Sequence, residues 1–127
     1  MKIFDLITAI ISKGYDKLDN QDKRQLIELQ DQLYQERALR TETILVTEQK
    51  MKSDEAIRTL ELKEEKTDDW KKKYTESQIE SIINQELQEF KTRINVAKFE
   101  KDKIEGKIDA LDKYITALRD KLNTARV

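Results

Sequence analysis

Trp70 and Tyr74 lie in the one stretch of this sequence whose residue types suggest a binding chemistry. At helical spacing the two rings are one turn apart, with three lysines between them. Aromatic rings that stack on bases, beside lysines that contact phosphates, are the elements of a single-stranded nucleic-acid site. Four nearby carboxylates, at positions 64, 65, 68 and 69, cancel the local positive field. Trp70, Lys71, Lys72 and Tyr74 are thus a candidate site, and the alternative is a solvated helix with one aromatic pair against a neighbour.

Other site chemistries lack their usual residues. The chain contains no histidine and no cysteine, which removes the commonest general base and the thiolate metal ligands. The adjacent carboxylates do not have the alternating spacing and the glycine of a Ca²⁺ loop, and no glycine-rich phosphate loop occurs. We therefore expect no catalytic residue, no metal and no cofactor, and we predict that the protein is not an enzyme.

The composition favours long helices over a compact globule. Charged residues make up 40% of the 127 residues and apolar residues 37%, with two glycines and no proline. A typical globular domain has about 25% charged and 45–50% apolar residues. The formal net charge of −1 selects for neither nucleic acid nor anionic membrane. We predict an oligomeric, all-α chain of elongated helices. We do not expect it to bind nucleic acid or membranes.

A short amphipathic helix is predicted from Lys2 to Lys13, ending at Gly14. Its wide apolar arc must be buried, either on the chain's own helices, at an oligomer interface or on another protein. The apolar run contains Asp5 and leads to no small-residue cleavage pattern, so we expect no cleavable signal and a location in the cytoplasm or within a macromolecular particle. The candidate docking residues are Ile3, Phe4, Leu6, Ile7, Ile10 and Ile11.

A second helix is predicted from about residue 16 to residue 66, with Asp16, Asp19 or Asn20 as its N-cap. Its seam begins regularly at positions 26, 29 and 33. Beyond these, the apolar residues fit no single heptad frame, which suggests a helix that touches more than one neighbour. The β-branched stretch 41–47 weakens helix propensity and predicts a local bend.

A charged hinge is predicted at 67–77, where the capping-box spacing of Ser77 and Glu80 marks the start of a new helix. The chain is thus divided into a docking helix (1–14), a ragged second helix (16–66), the hinge (67–77) and a heptad helix (78–127). An uninterrupted helix through the hinge is the alternative to a hairpin.

The heptad helix carries a seam in which steps of four and three alternate without a slip. Twelve of its thirteen positions are apolar, and the exception is Lys101. A stripe of period 3.5 buries its side chains only against another helix, so a C-terminal coiled coil is predicted. The seam consists of Ile83, Leu87, Phe90, Ile94, Ala97, Lys101, Ile104, Ile108, Leu111, Ile115, Leu118, Leu122 and Ala125.

The charges beside the seam favour an antiparallel partner. In a parallel homodimer several flanking positions repel, including Glu100 with Glu105. In an antiparallel homodimer four kinds of pair attract: Lys98–Glu105, Lys91–Asp112, Glu100–Lys107 and Glu86–Lys121. An antiparallel dimer of two copies is therefore favoured, although a different protein or the chain's own second helix would satisfy the same seam.

These patterns predict a protein that acts by binding other protein chains and catalyses no reaction. The leading hypothesis is a structural or scaffolding coiled-coil protein that self-associates within a larger assembly, such as a viral or microbial particle, and also binds another protein. A second hypothesis is a small regulatory protein that occludes a partner through its first helix. A third is a nucleic-acid-associated accessory factor that uses the residues around Trp70.

Overall fold

The computed structural model of the chain describes the backbone of residues 1–125 and the side chains of residues 1–120 other than that of Tyr15. This part of the chain is all-helical and has no strand, so the all-α prediction is confirmed. A single 3₁₀ turn, Tyr15–Lys17, precedes the long helix. The helices are α1 (Lys2–Ile11), α2 (Asn20–Glu64), α3 (Glu76–Glu86) and α4 (Gln88–Ala125).

The chain forms two compact units. The first unit contains Met1–Arg40 together with the chain from Glu100 onward, and the second contains Thr41–Phe99. Each unit takes one part of α2 and one part of α4, so the two long helices contribute to both. The first unit also contains α1, whereas the second contains the loop at 65–75 and α3.

The first unit is a three-helix packing around one apolar core. Polar contacts show that α2 and α4 run antiparallel here, because Gln30 contacts Asp112 whereas Arg40, further along α2, contacts Glu100. The side chains of Leu26, Leu33 and Ile104 are fully buried. The core is formed by Ile7, Ile10, Leu18, Leu26, Leu29, Leu33, Ile104, Ile108, Leu111 and Leu118.

The start of α2 is fixed by a reciprocal pair of aspartates. The backbone N–H of Asp22 donates to Asp19 Oδ1 at 2.7 Å, and the N–H of Asp19 donates to Asp22 Oδ2 at 3.3 Å. Lys13, just beyond α1, donates to Asp22 Oδ1 at 3.0 Å. Of the three predicted N-caps the structure selects Asp19, and the buried Asp22 joins the end of α1 to the start of α2.

The contacts of Asp22 predict a loss of stability in acid. The hydrogen bond from Lys13 lowers the pKa of Asp22 from its ordinary value, against the opposing effect of burial. A carboxylate with a lowered pKa stabilises the folded state above its unfolded pKa of about 3.9, and this contribution is lost as the pH falls through the folded pKa. We expect Asp22→Asn to melt below the parent at neutral pH, and the difference in Tm to shrink below about pH 4. A Tm difference that is constant from neutral to acidic pH would contradict this role of Asp22.

The second unit is an antiparallel pair of helical segments with two small cores. One core contains Leu62, Ile79, Ile83 and Leu87, with Met51, Tyr74, Ile82 and Phe90 packed against it. The other contains Ile44, Ile94 and Ala97. Two ion pairs cross between the segments, Arg58–Glu86 at 2.9 Å and Lys98–Glu48 at 3.7 Å. The chain at 65–75 therefore reverses direction, and the hairpin alternative describes this unit.

Three local features differ from the sequence predictions. The capping box lies two residues earlier than Ser77 and Glu80, because Thr75 is the N-cap of α3 and exchanges hydrogen bonds with Gln78. The heptad helix is also interrupted once, since Leu87 separates α3 from α4. The β-branched stretch 41–47 does not interrupt the helix, because α2 continues through it with Ile44 buried in a core.

Candidate interaction surfaces

The heptad seam faces the chain's own second helix. Ile104, Ile108, Leu111 and Leu118 share a core with Leu26, Leu29 and Leu33 of α2. In the second unit Ile83 and Leu87 share a core with Leu62, while Ile94 and Ala97 share one with Ile44. Phe90, Lys101 and Ile115 are half-buried, and the side chains of Leu122 and Ala125 lie outside the described residues. The described part of the seam is thus covered by the chain's own α2, which is the alternative to a partner chain given above.

The charges beside the seam are also used within the chain. Arg40 Nε donates to Glu100 at 2.9 Å, and Arg58 Nε donates to Glu86 at 2.9 Å. Gln30 donates to Asp112, and Lys98 pairs with Glu48. Four of the residues predicted to pair with a second copy therefore contact α2. Lys101, the charged seam position, lies 3.9 Å from Glu105 of its own helix.

The predicted docking helix α1 packs on its own chain. Ile7 and Ile10 are buried in the core of the first unit, and Ile3, Phe4 and Ile11 pack against it. Leu6 is the exception among the candidate docking residues, because 38% of its surface is exposed. The buried face of α1 is consequently not available to a partner in this arrangement.

The loop between α2 and α3 separates the two aromatic residues of the candidate nucleic-acid site. Tyr74 packs against the core around Leu62, and Lys73 lies over its ring at 5.4 Å from the centroid. Trp70 instead stands 84% exposed. Lys71 and Lys72 are exposed beside it. Because these residues are not helical, Trp70 and Tyr74 do not form the pair of rings on one helix face that the sequence suggested.

A tight turn holds Trp70 in an unusual backbone conformation. The N–H of Trp70 donates to Thr67 O at 2.9 Å, the N–H of Thr67 donates to Lys71 O at 2.8 Å, and Lys66 and Lys72 form an isolated β-bridge. The φ angle of Trp70 is 61°. This left-handed region is rare for a bulky residue and costs about 1–2 kcal/mol relative to glycine. The backbone of Trp70 is therefore strained, and its large aromatic side chain is exposed to solvent.

The part of α2 in the second unit has a second apolar face. Ile44 and Leu62 lie in the cores, whereas Val46, Ile57 and Leu60 are 56%, 54% and 61% exposed. At 100° per residue these three fall within about 60° of one another on the half of the helix opposite Ile44. Ile57 is at the edge of this group and also lines a cleft toward α3 and α4. We call these three residues the outer face of α2. The ragged apolar spacing of α2 in the sequence comes from this face, but the spacing alone does not separate inward from outward residues.

A cleft in the first unit combines apolar and basic residues. Its volume is about 510 Å³, and Phe4 provides its aromatic wall, with Lys107 Nζ 5.6 Å from the ring centroid. Arg40 is held at the edge of the cleft by Glu100, whose hydrogen bond raises the pKa of Arg40, and by Glu36. We call this the N-terminal cleft, and its lining residues are Met1, Phe4, Arg40, Glu100, Lys103 and Lys107.

Other kinds of site find little support in the described residues. No group of three or more metal-ligating side chains occurs there, and no helix among them is long and apolar enough to cross a bilayer. Comparison with protein-family models, with curated proteins and with solved structures found no match. The exposed surfaces of this chain are therefore the features that bear on its function.

Proposed function

We propose that this protein is a non-catalytic structural component that acts by binding further copies of itself within a larger assembly. The observation that carries the proposal is the outer face of α2. Its three residues share one side of the helix and each exposes more than half of its surface. Single exposed apolar residues are common, but several on one helix face are typical of an interaction surface.

The position of the outer face supports self-association through a surface other than the heptad seam. Both the seam and α1 are already packed within the chain, so a two-chain coil on the same seam would have to replace those contacts. The outer face of α2 requires no such exchange. An antiparallel coil of two copies stays a prediction, and the interface proposed here leaves the hairpin intact.

The other two functions have weaker support. A regulatory protein anchored through α1 would have to release Ile7 and Ile10 from the core before binding. A stacking site for nucleic acid would have to use Trp70 without Tyr74, because Tyr74 packs against the core around Leu62. The first function would require α1 to leave the core and the second has one well-exposed ring instead of two, whereas the outer face of α2 is already exposed.

Sedimentation velocity over a range of concentrations tests this proposal. The parent protein is expected to form species heavier than the 15.1 kDa chain. Burial of a whole aliphatic side chain contributes about 1.5–3 kcal/mol. Since Val46 and Leu60 are already partly covered, each should contribute about 1 kcal/mol, so Val46→Lys with Leu60→Lys should weaken association at least about tenfold.

Leu45→Lys is the matched control. Leu45 is as exposed as Val46, at 54%, but lies about a quarter turn away from the outer face. This variant should associate nearly as well as the parent, and both variants should keep the helical circular dichroism of the parent. A parent protein that stays monomeric at every concentration would refute self-association. Equal association of the two variants would show that the outer face is not the interface.

A further inference from the structure

Trp70 occupies a position where glycine would suit the backbone better. A turn that places its last residue at positive φ favours glycine, because glycine has no Cβ to clash there. Trp70 contributes to none of the three hydrophobic cores, and 84% of its surface is exposed. A strained residue that adds nothing to a core is best explained by a contact outside the chain. Tryptophan is also the residue type most enriched among the residues that dominate binding energy.

The end of the turn that carries Trp70 has two carboxylates, and lysines at 66, 71 and 72 flank them in the sequence. Asp68, Asp69 and Trp70 form the end of the turn, and all three are exposed. Lys71 and Lys72 follow where the chain returns toward α3, and Lys72 takes part in the bridge to Lys66. The first surface that a partner meets is therefore an indole ring beside two carboxylates. Such a tip requires an apolar cleft with a basic rim.

The N-terminal cleft meets both requirements. Three of its lining residues are cationic, and because Arg40 is paired with both Glu100 and Glu36, the lysines Lys103 and Lys107 are the charges that suit the two carboxylates of the tip. Its volume of about 510 Å³ lies within the range of about 300–1,000 Å³ found for ligand pockets. The ring of Phe4 offers an edge or face to an indole, and Lys107 already lies near that ring.

The cleft beside Arg58 is a poorer match for the tip. It lies in the second unit, where Arg58 is accompanied by Asp54, Glu61 and Glu86. Its volume is about 260 Å³, and its net charge of two negative units repels the two carboxylates of the tip. Size and charge therefore both favour the N-terminal cleft for the indole.

We propose that Trp70 of one copy inserts into the N-terminal cleft of a second copy, with Asp68 and Asp69 facing Lys103 and Lys107. The proposal rests on the self-association proposed above and names one contact for it. The tip and the cleft are different surfaces, so the contact is head-to-tail and not two-fold symmetric. Each copy has a tip and a cleft, so each can give its Trp70 to one neighbour and receive that of another.

The fluorescence of Trp70 reports this contact directly, because the chain has no other tryptophan. In dilute solution the exposed indole should emit at long wavelength and be quenched readily by acrylamide. As the concentration rises, the emission should shift to shorter wavelength and quenching should weaken. Lys103→Glu with Lys107→Glu should abolish this shift, whereas Lys113→Glu, an exposed lysine of α4 outside the cleft, should preserve it.

A mixing experiment separates the tip from the cleft. Trp70→Gly gives a chain that emits no tryptophan fluorescence but keeps its cleft, and the Lys103→Glu, Lys107→Glu chain keeps its tip. Adding the first chain to the second should produce a saturable blue shift. The same addition with a chain that carries all three substitutions should produce none. Because glycine relieves the strain, Trp70→Gly should melt at or above the temperature of the parent in dilute solution.

The outcomes distinguish the contact from the proposed function. If the parent associates in sedimentation experiments but the emission of Trp70 does not change with concentration, the Trp70 contact is wrong and self-association stands. A blue shift that survives Lys103→Glu with Lys107→Glu would place Trp70 in some other site and overturn the assignment of the cleft. If the parent does not associate at all, both proposals fail. A saturable shift in the mixing experiment, absent with the triple variant, is the result that supports the proposal.

Discussion

Replacement of Ile104 by Asp is expected to unfold the first unit of this protein. The side chain of Ile104 is fully buried in the core that joins α1, α2 and α4. Removing a large aliphatic side chain from a core costs about 2–5 kcal/mol. The new carboxylate would in addition be buried without a partner, at a further cost of several kcal/mol. The total approaches the stability of about 5–15 kcal/mol typical of a whole domain.

Far-ultraviolet circular dichroism and thermal melting measure this effect. The variant should lose a large part of its helical signal or melt far below the parent. Val96→Asp is the matched control, because it places the same charge on α4 at a β-branched residue that is 51% exposed. The control should melt within a few degrees of the parent, as expected for a surface change of less than about 0.5 kcal/mol. Equal melting of the two variants would show that Ile104 is not part of a core.

The inward positions of α4 are predictable from the sequence because they repeat with a strict period. The described apolar seam residues from Ile83 to Leu118 are buried or half-buried in the structure. The identity of the covering helix is not predictable in this way, since a heptad stripe accepts any partner with a complementary stripe. The antiparallel charge pattern is equally ambiguous. Glu100, predicted to meet Lys107 of a second copy, contacts Arg40 of α2.

Short sequence patterns did not predict three local features of the structure correctly. Thr75–Gln78 and Ser77–Glu80 both have the spacing of a capping box, and the structure uses the earlier pair. The β-branched residues at 41–47 lower helix propensity by only tenths of a kcal/mol each, so the burial of Ile44 outweighs them. The positive φ of Trp70 could not be anticipated, because no glycine marks the turn.

The outer face of α2 could not be predicted from the sequence for a different reason. Its residues alternate along the sequence with residues of the inner face, as Ile44 and Val46 do, and a single heptad frame cannot describe both. Only the position of α4 shows which of the two faces is covered. The tip at Trp70 and the N-terminal cleft likewise depend on how the loop and α1 fold, which no periodicity encodes.

One chain covers its own heptad seam and thereby leaves other surfaces for its partners. Gln30 of α2 donates a hydrogen bond to Asp112 of α4, and the chain has no native cysteine. Gln30→Cys with Asp112→Cys therefore places two thiols side by side, where a short bis-maleimide can join them. The most direct measurement is the mass of the crosslinked product from a mixture of normal and isotopically labelled chains. We expect one linker within each chain and no linked pair of normal with labelled chains, whereas linked mixed pairs as the main product would mean that the seam is an interface between copies.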